Sequence, residues 1–261
     1  MTDRKIRCAL AALSMIVVTS PTAAFADDFS LLSSLYVRGE AGAAFLGENR
    51  GYWRGPGAGA ERVTFSLNDN TSFTGMVGIG SEVIPGVRGD LSLGYLSEMQ
   101  VQGRRIAPSG IHADHQKGDV SSWQVMANIF VEPLTLAGQD FPINPFITGG
   151  LGVSFNKMGE WTRRRDDLAT SDPDYERSFT GATSTEFAWS IGGGVTAELN
   201  EIFGFSQPVY LDLTYRYMDL GKVKGGYRQT DGNGPSPRES FNFDLVNHVA
   251  TVGVRIPFSM N

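Results

Sequence analysis

The segment VYLDLTYRY, residues 209–217, alternates apolar and polar side chains at every second position. Successive side chains of a β-strand point to opposite faces, so Leu211, Leu213 and Tyr215 would share one face and Asp212 and Arg216 the other. Seven further stretches have the same period: residues 35–46, 72–82, 87–98, 121–132, 145–156, 184–199 and 243–258. The pattern predicts an all-β chain with eight strands.

The gaps between these stretches alternate between long and short. The long gaps are residues 47–70, 99–120, 157–183 and 220–242, whereas a short gap such as Pro85–Gly86 has the residues of a tight turn. An even number of antiparallel strands joined in this way closes into an up-and-down barrel, with four loops at one end and the turns at the other. Segments of about ten residues are long enough for a tilted strand to cross a bilayer.

The orientation of the two faces distinguishes a membrane barrel from a soluble one. A lipocalin-like barrel uses the same alternation reversed, with its apolar face inside. Small residues on the polar face fit the narrow interior of an eight-stranded barrel better than a solvated exterior; they are Gly150, Gly152, Ser154, Gly192 and Gly194. We therefore predict an eight-stranded antiparallel up-and-down transmembrane β-barrel with its apolar face in lipid.

The first 26 residues have the organisation of a secretory leader. Arg4, Lys5 and Arg7 are basic, residues 9–18 are apolar, and Ala24-Phe25-Ala26 provides small residues for a peptidase. We expect cleavage after Ala26 and a barrel domain over residues 27–261. Cleavage would also remove Cys8, the only cysteine, and with it any disulfide.

Composition and motifs argue against several functions. A net charge of −6 disfavours a nucleic-acid partner, because phosphate binding needs a basic surface. The nucleophile-elbow, zinc-protease and phosphate-loop motifs do not occur, so neither enzymatic activity nor a cofactor is expected. His112, Asp114 and His115 offer too few ligands in an exposed loop to predict a metal site.

Four segments together resemble a known family. LYVRGEAGAAF (35–45), PFITGGLGVSF (145–155), VYLDLTYRYMDLG (209–221) and HVATVGVRIPF (248–258) resemble the outer-membrane β-barrel family related to the OmpA transmembrane domain, and in particular the small surface antigens of alphaproteobacteria. The resemblance implies an eight-stranded barrel in the cell outer membrane, folded by the barrel-assembly machinery.

Seven charged residues are predicted to point into the barrel near its turns. They are Arg38, Glu40, Arg88, Asp90, Glu198, Asp212 and Arg255. A narrow interior can hold such charges only if they are paired and hydrogen-bonded. They would form either a structural plug or the gate of a small channel, and the small bore of eight strands favours the plug.

Surface features complete the prediction. Tyr95, Trp123 and Phe155 would belong to an aromatic girdle at the membrane interface. Arg163, Arg164 and Arg165 could contact lipopolysaccharide phosphates, although an ordinary charged loop tip is the simpler interpretation.

We therefore expect a non-enzymatic protein that contributes to envelope integrity and surface interaction, with outer-membrane lipid, lipopolysaccharide and an external ligand as partners. The alternatives are a small-solute, porin-like channel and a lipid-modifying enzyme. For the enzyme, Ser240 and His248 are the only residues that suggest a nucleophile and base, and nothing in the sequence brings them together.

Overall fold

The computed structural model describes residues 35–47, 50–68, 70–105, 114–139, 141–165, 176–200, 208–232 and 234–258. The predicted leader and its cleavage site lie outside these residues. The strands are β1 (Leu35–Leu46), β2 (Arg50–Arg54), β3 (Arg62–Leu67), β4 (Thr71–Ile84), β5 (Val87–Arg105), β6 (Asp114–Val131), β7 (Ile143–Arg165), β8 (Glu176–Phe179), β9 (Ala182–Glu198), β10 (Tyr210–Lys224) and β11 (Glu239–Phe258), and one short helix is α1 (Pro133–Leu136). Within the described ranges, no helix is long and apolar enough to span a membrane.

Eight of the strands form a closed antiparallel ring. Its order is β1-β4-β5-β6-β7-β9-β10-β11, and β11 pairs again with β1 from Leu35↔Phe258 to Leu46↔Asn247. Closure gives each strand of the ring a partner on both sides, so the ring has no free edge. The predicted eight-stranded up-and-down barrel is confirmed. We call the end that carries the Pro85–Gly86 turn and α1 the turn end, and the opposite end the loop end.

An apolar belt surrounds the ring. Large apolar side chains point outward and are exposed, among them Val77, Leu91, Ile129, Leu151 and Ile191. On β6 the belt covers residues 123–131, which matches the roughly 9–11 residues that a tilted strand needs to cross a bilayer.

Aromatic residues mark the loop-end rim of the belt. Tyr95, Trp123 and Phe155 are direct neighbours on three adjacent strands, and the rings of Tyr95 and Trp123 lie 4.6 Å apart. Farther around the ring, the Trp189 and Tyr217 rings are 5.4 Å apart. The arrangement is that of an interfacial girdle.

The strands continue well beyond the belt at the loop end, where the sequence predicted long loops. Most of the predicted gap 99–120 is strand, because β5 runs to Arg105 and β6 begins at Asp114. The predicted gap 47–70 contains the hairpin of β2 and β3, which is inserted between β11 and β5 above the ends of β1 and β4. The four predicted long loops are therefore β-strand over much of their length. We call this continuation of the cylinder the loop-end extension.

Three β-bulges explain why the sequence pattern stopped at the belt. Each inserts one extra residue, on β5 between Leu96 and Met99, on β7 between Met158 and Trp161, and on β10 between Asp219 and Lys222. A bulge shifts the inward positions by one residue, so the period of two breaks there. On β10 the bulge includes Gly221 at φ +73°, a backbone conformation that glycine adopts without strain.

Beyond the bulges the lumen is filled by apolar side chains. Trp161, Phe241, Phe243, Leu245 and Val101 are fully buried there. The Trp161 ring stacks on Phe179 at 4.2 Å between centroids. The outward residues of the same strands are polar, as Gln100 and Gln102 on β5 show. The loop-end extension has the residue distribution of a soluble protein, with apolar side chains inside and polar ones outside. The belt has the reverse distribution, that of a membrane protein.

Two glycines of β1 allow a matched test of the closed ring. A Cβ on inward-facing Gly42 would lie 1.9 Å from the Ala250 carbonyl oxygen, whereas one on lipid-facing Gly39 would meet nothing within 4 Å. We expect Gly42→Val to destabilise the barrel by about 2 kcal/mol or more, as overpacking does, and Gly39→Val to be nearly neutral. Urea unfolding followed by heat-modifiable gel mobility would measure both. Equal effects would contradict this difference in packing between the two glycines.

Candidate functional site

A chain of four charged side chains crosses the lumen within the belt. Arg216 of β10 donates two hydrogen bonds to Glu40 of β1, at 2.5 Å from Nη1 to Oε1 and 3.2 Å from Nη2 to Oε2. Glu40 Oε2 also lies 2.6 Å from Arg38 Nη1, an ion pair, and Arg38 Nε donates to Asp90 Oδ2 of β5 at 2.9 Å. All four side chains are buried. We call Arg216, Glu40, Arg38 and Asp90 the charge chain.

Neutral neighbours add hydrogen bonds to the charge chain. Asn128 Nδ2 donates to Asp90 Oδ1 at 2.7 Å, and the Tyr36 hydroxyl lies 3.3 Å from Asp90 Oδ2. The Arg38 guanidinium also lies 5.1 Å from the centre of the Phe130 ring. Alternating signs and these contacts offset the desolvation of charges that are removed from water.

A second group of charges lies at the turn end. Arg88 Nη1 donates a hydrogen bond to Glu132 Oε1, and Arg88 Nη2 lies 3.7 Å from Asp212 Oδ2. Arg255 Nε is also 3.7 Å from Asp212 Oδ2, and Arg255 Nη2 donates to Thr196 at 3.3 Å. A cavity of about 170 Å³ opens beside Arg88 and Arg255. The two 3.7 Å separations are too long for direct hydrogen bonds.

The structure therefore separates the seven predicted lumen charges into three sets. Arg38, Glu40 and Asp90 belong to the charge chain, and Arg88, Asp212 and Arg255 form the turn-end group. Glu198 is exposed at the turn-end mouth, where its Oε1 accepts a hydrogen bond from Asn200 at 2.7 Å.

Two members of these networks were missed by sequence reasoning. Arg216 is on the polar face of the segment with the clearest period, yet only the register across the lumen shows that it meets Glu40. Glu132 follows the last residue of β6 and was assigned to a strand end, but it folds back to Arg88. The position of Arg216 on the polar face of its strand was a signal that it points into the lumen. The position of Glu132 gave no such signal.

The charge chain and the loop-end core obstruct the lumen in succession. Buried Met76 lies beside the charge chain, with its sulfur 3.9 Å from Arg38 Nη2. Toward the loop end follow buried Met126 and Met218 and then the aromatic side chains of the loop-end core. Hydrated ions cross apolar constrictions poorly. The arrangement therefore favours a plug over the gate of a channel.

The three consecutive arginines of β7 have different surroundings. Arg163 points inward, and its guanidinium lies 4.0 Å from the centre of the Trp53 ring. Arg164 points outward and is exposed, and the side chain of Arg165 lies outside the described residues. Arg164 is nine residues beyond Phe155 of the girdle, roughly 30 Å along the strand. It is therefore far from the interface where lipid phosphates lie.

The remaining candidate residues do not come together. His112 lies outside the described residues, and the side chain of Asp114 does too. Ser240 is buried, whereas His248 faces outward and its Nδ1 lies 2.6 Å from the Tyr215 hydroxyl. Over the described part of the chain, no group of three or more metal-ligating side chains is assembled.

Comparison with known proteins gives relatives of low identity. No family model matches the chain. Two Rickettsia proteins, each described as a "putative adhesin", are similar: that of R. bellii is 25% identical and covers 94% of this chain and 96% of its own, and that of R. conorii is 24% identical and covers 66% of this chain and 63% of its own.

Solved structures with similarity to the chain include two membrane barrels. The outer membrane protein OprG of Pseudomonas aeruginosa has a TM-score of 0.49, 14% identity, and coverage of 87% of this chain and 97% of that chain. Neisserial surface protein A has a TM-score of 0.40, 16% identity, and coverage of 87% and 98%.

The structure itself defines the class of protein. A closed antiparallel cylinder with an outward apolar belt, an aromatic girdle and a polar lumen within the belt is the architecture of outer-membrane barrels. The chain is a surface-exposed outer-membrane β-barrel protein.

Removal of one member of the charge chain should be costly. Arg216→Met leaves Glu40 with Arg38 alone, and Glu40→Gln leaves two cations without their shared carboxylate, so we expect each to lose about 3 kcal/mol of unfolding free energy. The double variant should lose less than the sum of the two. Lys222→Gln, which breaks an exposed 3.8 Å pair with Asp244, should cost under about 0.5 kcal/mol. Urea titration in detergent would compare them, and additive losses would exclude the coupling.

Proposed function

We propose that this protein is a non-enzymatic surface adhesin of the outer membrane, in which the belt provides anchorage and the loop-end extension contacts an external ligand. The observation that carries the proposal is the ordered β-structure beyond the belt, with its own apolar core. Such a core keeps the extension rigid, so its outward residues form a fixed surface. The name given to the Rickettsia relatives agrees with this role.

Orientation follows from the two ends of the barrel. Outer-membrane barrels have short periplasmic turns and longer extracellular loops, so the loop end would face outward and the turn end the periplasm. The predicted leader and folding by the barrel-assembly machinery fit this orientation. Contribution to envelope integrity and contact with lipopolysaccharide also remain part of the proposal.

The small-solute channel is the weaker alternative. Its support is the 170 Å³ cavity at the turn end, which borders Arg88 and Arg255. The charge chain and then the loop-end core lie beyond it, so a solute would have to displace both. A lipid-modifying enzyme has less support, because Ser240 and His248 lie in different surroundings.

Expression in a non-adherent Gram-negative host should increase attachment to a cell monolayer several-fold. A control in which residues 50–67 are replaced by a short Gly-Ser link removes the hairpin of the loop-end extension and should return attachment to background. Heat-modifiable gel mobility of both proteins would establish that each barrel has folded. Attachment that does not rise with the intact protein would refute the adhesin proposal.

Planar-bilayer recordings would test the channel. The purified protein should show no steady conductance, and Arg216→Met should remain silent because the loop-end core still closes the lumen. An ion current through the folded wild-type barrel, altered by substitution of Arg38 or Arg255, would instead support the channel.

A further inference from the structure

We infer that one side of the loop-end extension binds a sulfated polysaccharide through a row of outward-facing basic side chains. The inference rests on the proposed function and names the chemistry of its ligand. The row consists of Arg50, Arg104, His115 and Arg164, which we call the basic row.

Strand register brings these residues together from four strands. Arg50 of β2 lies opposite Ser66 of β3, and Ser66 lies opposite Arg104 of β5. Arg104 is opposite His115 of β6, which is opposite Arg164 of β7. Neighbouring strands are about 4.8 Å apart, so the row extends roughly 19 Å around the barrel.

The row is accessible and differs in charge from the rest of the chain. Arg50, Arg104 and Arg164 are exposed, and exposed Lys117 lies two residues from His115 on the same outward face. Glu176, opposite Arg164, ends the row. The whole chain carries a net charge of −6, so this side is a local reversal of sign.

The height of the row favours a ligand outside the bilayer. His115 is eight residues beyond Trp123 of the girdle, which places it about 26 Å farther along β6. Even with the strand tilt, that distance is larger than the reach of an arginine side chain to a lipid phosphate. A soluble or cell-surface chain of anions can approach at this height, whereas a lipid headgroup cannot.

The residue types fit an anionic group with several oxygens, such as sulfate. Three guanidinium groups offer planar pairs of donors that match two oxygens of a sulfate or phosphate group. Their lateral spacing over several strands suits a linear polymer with repeated charges better than a single small anion. We therefore assign the row to a sulfated glycan chain that lies across the strands.

A matched pair of variants tests the assignment. Arg104→Gln with Arg164→Gln removes two positive charges from the row. Lys222→Gln with Lys224→Gln removes two from β10, where Lys222 pairs with Asp244 at 3.8 Å and Lys224 with Glu186 at 3.0 Å. Binding of heparin to each folded barrel in detergent would be measured at two salt concentrations. Hyaluronate, which has carboxylates without sulfates, and phosphatidylglycerol vesicles would serve as comparison probes.

We expect the wild-type protein to bind heparin in preference to hyaluronate and vesicles, and more weakly at high salt. The arginine double variant should lose about tenfold or more in affinity, and the lysine double variant about twofold or less. Equal losses, stronger binding to vesicles, or no heparin binding by the wild type would overturn the inference. In the last case, attachment retained in the adhesion assay would leave the proposed function standing, and attachment lost there would overturn that function as well.

Discussion

The rest of this barrel depends on the phase of the alternation along each strand, that is, on which face carries the apolar side chains. A strand has two faces, and within the belt the apolar face meets lipid while the polar face meets the lumen. Beyond the girdle water replaces lipid outside, so the preferred phase reverses. The bulges on β5, β7 and β10 produce that reversal within continuous strands. One sheet can therefore serve two solvents, with its hydrogen-bond ladder disrupted locally at each bulge.

The lumen responds to the same constraint in two ways. Inside the belt the inward residues include charges, and the charge chain keeps them buried by alternating their signs from Arg216 to Asp90. In the loop-end extension the inward residues are apolar, and they pack as a core around Trp161 and Phe241. Both fillings join strands on opposite sides of the cylinder. Neither resembles the water-filled interior of a porin.

A filled cylinder has consequences for recognition. Flexible loops lose conformational entropy when they bind, whereas residues on paired strands already have fixed positions. The basic row depends on this rigidity, because register holds Arg104, His115 and Arg164 side by side. The belt and girdle meanwhile fix the height of that surface above the membrane. Anchorage and the proposed recognition surface thus occupy different lengths of the same strands.

The sequence by itself determined the eight strands of the ring, the orientation of their faces and the presence of charges in the lumen, because a period of two is a local property of each segment. Arg38, Glu40 and Asp90 could be predicted in this way. The tertiary structure alone decided that Glu40 meets Arg216, that the predicted loops are strands over much of their length, and that three distant arginines align in one row. Those features depend on register between segments and on bulges that interrupt the period, and neither is written in the alternation of any single strand.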